Sequence, residues 1–146
     1  MKSCTFFGHR DAPDSIRYDL KQVLIDLIEN KDVTVFLVGN NGKFDSMVLT
    51  ELKLFSTVYK HIMFFVVIHT IPDNKFNVED IGEENILFPD ALLEKTPKRY
   101  TIDRRNRWMV NESDYVVTYV YKAGGARKFK ELAERKNKTV INLYKE

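Results

Sequence analysis

Cysteine is almost missing from this chain of 146 residues: the single Cys4 cannot close an internal disulfide, and no Cys spacing of the metal-binding kind occurs. That usage predicts a reducing compartment, and we expect the protein to be cytoplasmic. His9, His61 and His69 show no paired ligand spacing, so no metal centre is predicted. With 6 Gly and 4 Pro the chain is neither linker-rich nor collagen-like. Charge of one sign is also scarce. The 23 Lys and Arg against 21 Asp and Glu leave a formal charge of +2, so any site for an anion must be a local cluster. Long apolar runs are absent as well: the longest, Ile62 to Ile68, is about a third of the roughly 20 residues of a membrane-spanning helix. It reads as a buried strand, and no membrane partner is expected. Met1-Lys2-Ser3 leads straight into a predicted strand without the apolar stretch of a signal peptide.

What is present is the material of a packed core, 44% hydrophobic with 12% aromatic residues. A chain of this size predicts one domain, residues 1–146, that needs no disulfide or structural metal. Cys4 to Phe7 is a short apolar stretch ended by Gly8-His9-Arg10. Ile16, Leu20, Val23, Leu24, Leu27 and Ile28 then recur at helical spacing. The pattern repeats with a strand at Val33 to Val38, a break at Gly39-Asn40-Asn41-Gly42, and a helical stripe through Phe44, Met47, Val48, Leu52 and Phe55. A third strand spans Ile62 to Ile68. Later come a helix from Ile102 to Asn111, a strand from Tyr115 to Val120, a helix from Ala126 to about Lys136, and a strand from Thr139 to Leu143. The strands are nearly continuous in apolar residues rather than alternating, as a parallel sheet covered on both faces requires. The class is α/β: a doubly wound, mainly parallel sheet of five strands with four helices on its two faces. Residues 70–100, with Pro72, Pro89 and Pro97 and one apolar patch at Ile86-Leu87-Phe88, read as a lid-like insertion.

In such sheets ligands bind beyond the carboxyl ends of the strands. Five of the 6 glycines, Gly8, Gly39, Gly42, Gly124 and Gly125, fall in the turns that follow strands, where a backbone without Cβ atoms can approach an anion. Each of these turns opens a helix, whose N-terminus carries about half a positive charge. Neither the complete G-x-G-x-x-G fingerprint nor a P-loop is present, which excludes the usual dehydrogenase and NTPase classes. Arg10 can hold a phosphate or carboxylate through two hydrogen bonds. His9, Asn40 and Asn41 lie in these turns and count among the ligand-binding candidates, with His9 read as scaffold rather than acid or base. Asp45 can cap the second helix, or orient a ribose hydroxyl or a water.

The most basic window runs from Arg99 to Met109 and holds the lone tryptophan. On a helix, Ile102, Arg105, Met109 and Glu112 share one side, while Arg104, Arg107 and Trp108 share a neighbouring one. The second side can clamp an anion and stack a base on the indole; in the alternative, Trp108 packs into the core. No serine or cysteine nucleophile is indicated.

Taken in order, Thr5-Phe6-Phe7-Gly8-His9-Arg10, Gly39-x-x-Gly42-x-Phe44-Asp45, Arg104-x-Asn106-x-Trp108-Met109, Ser113-Asp114-Tyr115-Val116-Val117 and Gly124-Gly125-Ala126 resemble the YpsA-like branch of the SLOG superfamily. The resemblance covers nearly the whole chain. It implies a Rossmann-like domain related to the cytokinin-activating phosphoribohydrolases and to the DNA-processing protein DprA, with nucleotides or nucleotide-derived molecules as ligands. It also implies pocket roles for Gly8, Arg10, Gly39, Gly42, Asp45, Arg104, Gly124 and Gly125. The phosphoribohydrolase pattern PGG-x-GT-x-x-E is not reproduced, because Lys122-Ala123-Gly124-Gly125-Ala126 lacks the Pro and the Gly-Thr, and Glu131 only lies near the expected glutamate. The expectation is therefore a binding domain for a small phosphorylated ligand, a nucleotide or nucleotide-sugar. Two alternatives stand beside it: a hydrolase of N-glycosidic or phosphate bonds using Asp45 or Glu131, and nucleic-acid binding of the DprA type. A homo-oligomer is left open.

Overall fold

The computed structural model describes residues 1–70, 82–92 and 96–145. Among these residues ten helices and strands follow in chain order: β1 (Lys2–Gly8), α1 (Arg17–Asn30), β2 (Val33–Val38), α2 (Lys43–Val58), β3 (Met63–Val67), β4 (Ile86–Leu87), α3 (Thr101–Glu112), β5 (Tyr115–Tyr119), α4 (Gly125–Arg135) and β6 (Thr139–Asn142). The strands form one sheet in the order β4-β3-β2-β1-β5-β6, and every neighbouring pair is parallel.

Six strands replace the five expected from the sequence. The extra one is β4, two residues that pair with Val66 and Val67 at the edge of the sheet. Its apolar patch is visible in the sequence, but two residues ahead of Pro89 carry no periodicity that marks a strand. Of the lid-like insertion at 70–100, residues 71–81 and 93–95 lie outside the described residues. The remainder holds β4 and single 3-10 turns at Glu83–Asn85, Asp90–Leu92 and Lys98–Tyr100.

Alternation along β1 explains the two layers. Cys4 and Phe6 join the core under α1 and α2, with Leu20, Leu24, Phe44, Met47 and Leu52. Phe7 points to the opposite face and joins Met109 and Val110 of α3 and Phe129, Leu132 and Ala133 of α4. Cys4 is completely buried, and burial pushes its thiol pKa far up, so it is an inert core side chain.

The order of connection sets the position of the site. From β1 the chain steps outward through β2 and β3 to β4, whereas β5 and β6 lie on the other side of β1. Strand order therefore reverses between β1 and β5, where the carboxyl ends of a doubly wound sheet leave a crevice. No helix among the described residues is long and apolar enough to cross a membrane.

Candidate functional site

A cavity of about 450 Å³ occupies the crevice. Its walls come from the turn after β1, the start of α2, one face of α3 and the turn between β5 and α4, so Arg10, Asn41, Asp45, Arg105, Lys122 and Gly125 share one space.

The β1 turn is held by close packing. A Cβ on Gly8 would stand 2.3 Å from the Phe44 ring, so only the bare backbone lets α2 sit against the end of the strand. Gly42, with φ 94°, lies against Arg10 in the same way, its Cβ position 2.8 Å from Arg10 Cγ. The Lys43 N–H donates to the Arg10 carbonyl at 3.2 Å and fixes the two loops together. His9 is buried, and its Nε2 accepts the backbone N–H groups of Tyr121 at 3.1 Å and Lys122 at 3.3 Å. An imidazole accepting at Nε2 carries its proton on Nδ1 and is neutral. Burial first, and then the Lys122 charge, lowers its pKa below the usual 6.5. The geometry is that of a clasp between the β1 and β5 loops.

Asp45 and Arg105 form the polar floor. Asp45 sits in the first turn of α2 without capping it: its Oδ2 instead accepts the Asn41 N–H at 2.9 Å. Burial raises its pKa from 3.8 to about 6, against the opposing pull of the Asn41 N–H, Arg105 and Arg10. Arg105 is 2% exposed. Its Nε donates to Asn106 Oδ1 at 3.0 Å, and its Nη1 donates to Asn40 Oδ1 at 2.7 Å and to the Val67 carbonyl at 3.3 Å. With the Asn41 amide oxygen turned toward it, Nη2 donates there at 3.1 Å. Burial lowers the guanidinium pKa while Asp45 holds it up, and an arginine stays charged under both. Gly39 makes room for the pair, since a Cβ there would lie 2.9 Å from Asp45 Oδ2 and 3.4 Å from Arg105 Cζ. Gly39 and Asn40 thus support the cavity from behind its wall.

At the other side α4 is preceded by Gly124, whose φ is 146° and which offers no side-chain cap. The first helical bond runs from the Lys128 N–H to the Gly124 carbonyl at 3.1 Å, so the N–H groups of the opening turn have no place in the helical ladder. A Cβ on Gly124 or Gly125 would meet nothing within 4 Å, so the open space lies directly against this backbone. Amide donors, a helix dipole, Arg10 and Lys122, the last paired with Asp11 at 3.4 Å, line one wall of the cavity, a cradle of the kind that suits an anion.

Several residues singled out from the sequence lie elsewhere. Arg104 donates to Thr96 Oγ1 at 2.9 Å, and Arg107 pairs with Asp103 at 2.7 Å on the exposed side of α3. Trp108 lines a second space, about 270 Å³, with Val35, Leu37, Phe65 and Leu87. It is a packing residue, not a stacking surface in the main cavity. The cause is helix phase: the side of α3 turned to the crevice carries Ile102, Arg105 and Met109, and the charged-aromatic side expected to face a ligand is rotated away. Arg105 takes the place expected for Arg104, and its three- and four-residue spacing from Ile102 and Met109 was the available signal. Glu131 pairs with Arg127 at 3.0 Å on the outside of α4 and does not line the cavity, leaving Asp45 as the only one of the two carboxylate candidates that does. Among the described residues no three His, Cys, Asp or Glu side chains gather in a metal-binding group.

No protein-family model matches the chain. No curated protein matches it either. A solved structure does: DNA processing protein A from Helicobacter pylori, described for its single-stranded DNA binding mode, superposes with a TM-score of 0.67 at 15% sequence identity, over 99% of this chain and 66% of that one. The fold is Rossmann-like. At that identity the likeness concerns architecture alone, and this chain spans just under two thirds of the length of DNA processing protein A.

Proposed function

We propose that this domain binds a nucleotide or nucleotide-derived molecule, with an anionic phosphate against the first turn of α4. The observation that carries the reading is the uncapped, side-chain-free opening of α4 at Gly124 and Gly125, facing a cavity that also holds Arg10 and Lys122. Asp45 and Arg105 then face the part of the ligand deeper in the crevice, where a carboxyl group accepts or donates a hydrogen bond according to pH. The order of sequence motifs supports the finer assignment to the YpsA-like branch of the SLOG superfamily. A thermal-shift series with nucleoside monophosphates, NAD and ADP-ribose tests the reading, because a ligand at 100 times its Kd stabilises the folded state by about 2.7 kcal/mol. Absence of any shift across the series at millimolar ligand removes it.

Single-stranded nucleic acid is the second reading, favoured by the structural likeness to DNA processing protein A, described as binding single-stranded DNA. The same cradle would then receive one phosphate of a strand. Titration at two salt concentrations separates the readings, since a strand that contacts several phosphates loses affinity steeply with salt and a single phosphate does so weakly.

A further inference from the structure

Outside the cavity, three tyrosines from two distant stretches of chain come together. Tyr119, at the end of β5, is buried and turns its ring edge-on toward Tyr121 at 5.6 Å and Tyr144 at 6.0 Å. Tyr121 and Tyr144 meet with centroids 5.3 Å apart and planes tilted by 36°, and both remain open to solvent, at 43% and 38% exposure. An exposed tyrosine ordinarily samples several rotamers, but Tyr121 is fixed from three directions. Its ring stands edge-on over His9 at 4.7 Å. Its hydroxyl donates to Asp11 Oδ2 at 3.1 Å, and the Lys122 Nζ sits 5.2 Å from its ring centroid. Lys122 also approaches Asp11 at 3.4 Å, so that carboxylate is neutralised rather than aimed at an incoming phosphate.

His9, Asp11 and Lys122 are at once cavity-lining residues and the supports of the Tyr121 ring. The aromatic surface is therefore continuous with the anion cradle, only three residues along the turn from Gly124. We infer that the exposed Tyr121–Tyr144 surface is a stacking platform for a second nucleobase, joined by a phosphodiester to the nucleotide held in the cavity. The inference rests on the cavity reading and narrows its ligand class to molecules with two linked nucleotides. Preorganisation is what makes such a platform effective: the ring is already immobilised, so stacking orders no further side chain. Every base has a π-face, so the platform tolerates sequence, and the adjoining ammonium group suits the linking phosphate.

The test is calorimetric titration of the whole chain with adenosine 5′-monophosphate and with the 5′-phosphorylated adenosine dinucleotide. The dinucleotide is expected to bind about 5- to 150-fold more tightly, the range one stacked base supplies. Tyr121→Leu should abolish that advantage, read as the ratio of the two affinities; Tyr121→Phe, which keeps the ring face, should retain it; Tyr144→Leu, remote from the cavity lining, should reduce it. Equal affinities of the wild type for the two ligands, or a loss in Tyr121→Leu that is the same for both, overturns the platform and leaves the cavity reading standing. If neither ligand binds the wild type, both readings fall. A longer adenylate strand separates the two sources of this chemistry: tighter binding than the dinucleotide marks a single strand, and equal binding marks a free dinucleotide.

Discussion

The Nε2 of His9 accepts the backbone N–H groups of both Tyr121 and Lys122, at 3.1 and 3.3 Å, and so ties the loop after β1 to the loop after β5 across the crevice. Only the neutral imidazole can do this. Protonation turns Nε2 into a donor and leaves two amide donors facing it.

The pH dependence follows from that clasp. Burial lowers the folded-state pKa of His9 below 6.5, so the unfolded chain binds the proton first and stability falls as pH drops through 6.5 toward the folded value. Unfolding by denaturant between pH 5 and 8 should show this slope, and His9→Gln should flatten it. A wild-type curve no steeper than the variant's over that range contradicts the assignment.

Asp45 has the opposite sign. Its pKa rises from 3.8 in the unfolded chain to about 6 in the folded one, so its contribution is complete below 3.8 and is lost as pH rises through about 6. The difference corresponds to about 3 kcal/mol. Asp45→Asn should therefore gain stability relative to wild type between pH 5 and 8, read as a rise in denaturant midpoint. If a hydrolysed nucleotide also appears by chromatography with the wild type and disappears with Asp45→Ala, the same carboxyl group acts on water, a task suited to a pKa close to neutrality.

At the anion cradle, Gly125→Asp separates stability from binding. A Cβ added there meets nothing within 4 Å, and the carboxylate it carries stands at a helix N-terminus, where a negative charge contributes about 0.3–1 kcal/mol. The variant should melt no lower than wild type, yet lose its thermal shift with nucleotides. A retained shift would place the phosphate elsewhere.

Arg105→Ala should be among the most damaging single changes in the fold. It empties a buried volume and leaves Asn40, Asn106 and the Val67 carbonyl without their donor, at a cost of about 2–5 kcal/mol. Chemical denaturation measures it. Trp108→Phe, by contrast, should leave nucleotide binding unchanged, because the indole lines the second space and not the crevice.

Much of this architecture is legible in the residues themselves. β2 has the bounds its apolar run predicts, Val33 to Val38, because a strand covered on both faces leaves no polar position in doubt. Three of the five turn glycines, Gly8, Gly124 and Gly125, line one space, while Gly39 and Gly42 stand behind its wall. Phase on α3 was not legible. A helix bearing Arg104, Arg105 and Arg107 has three guanidinium groups at different angles, and only the packing of Met109 and Val110 against the sheet decides which is buried. The tyrosine platform was hidden for another reason: Tyr121 and Tyr144 meet through β6, whose pairing with β5 no local pattern records.

The central position of β1 has a consequence for synthesis. Its two partners are β2, close behind it in sequence, and β5, whose Cα register with it joins Cys4 to Tyr115 and Gly8 to Tyr119. On the ribosome the first half of the pocket waits, without its opposite wall, until more than two thirds of the polypeptide has been made. If the proposed site is the binding site, nascent fragments ending before α4 lack one of its walls and should not respond to the ligand.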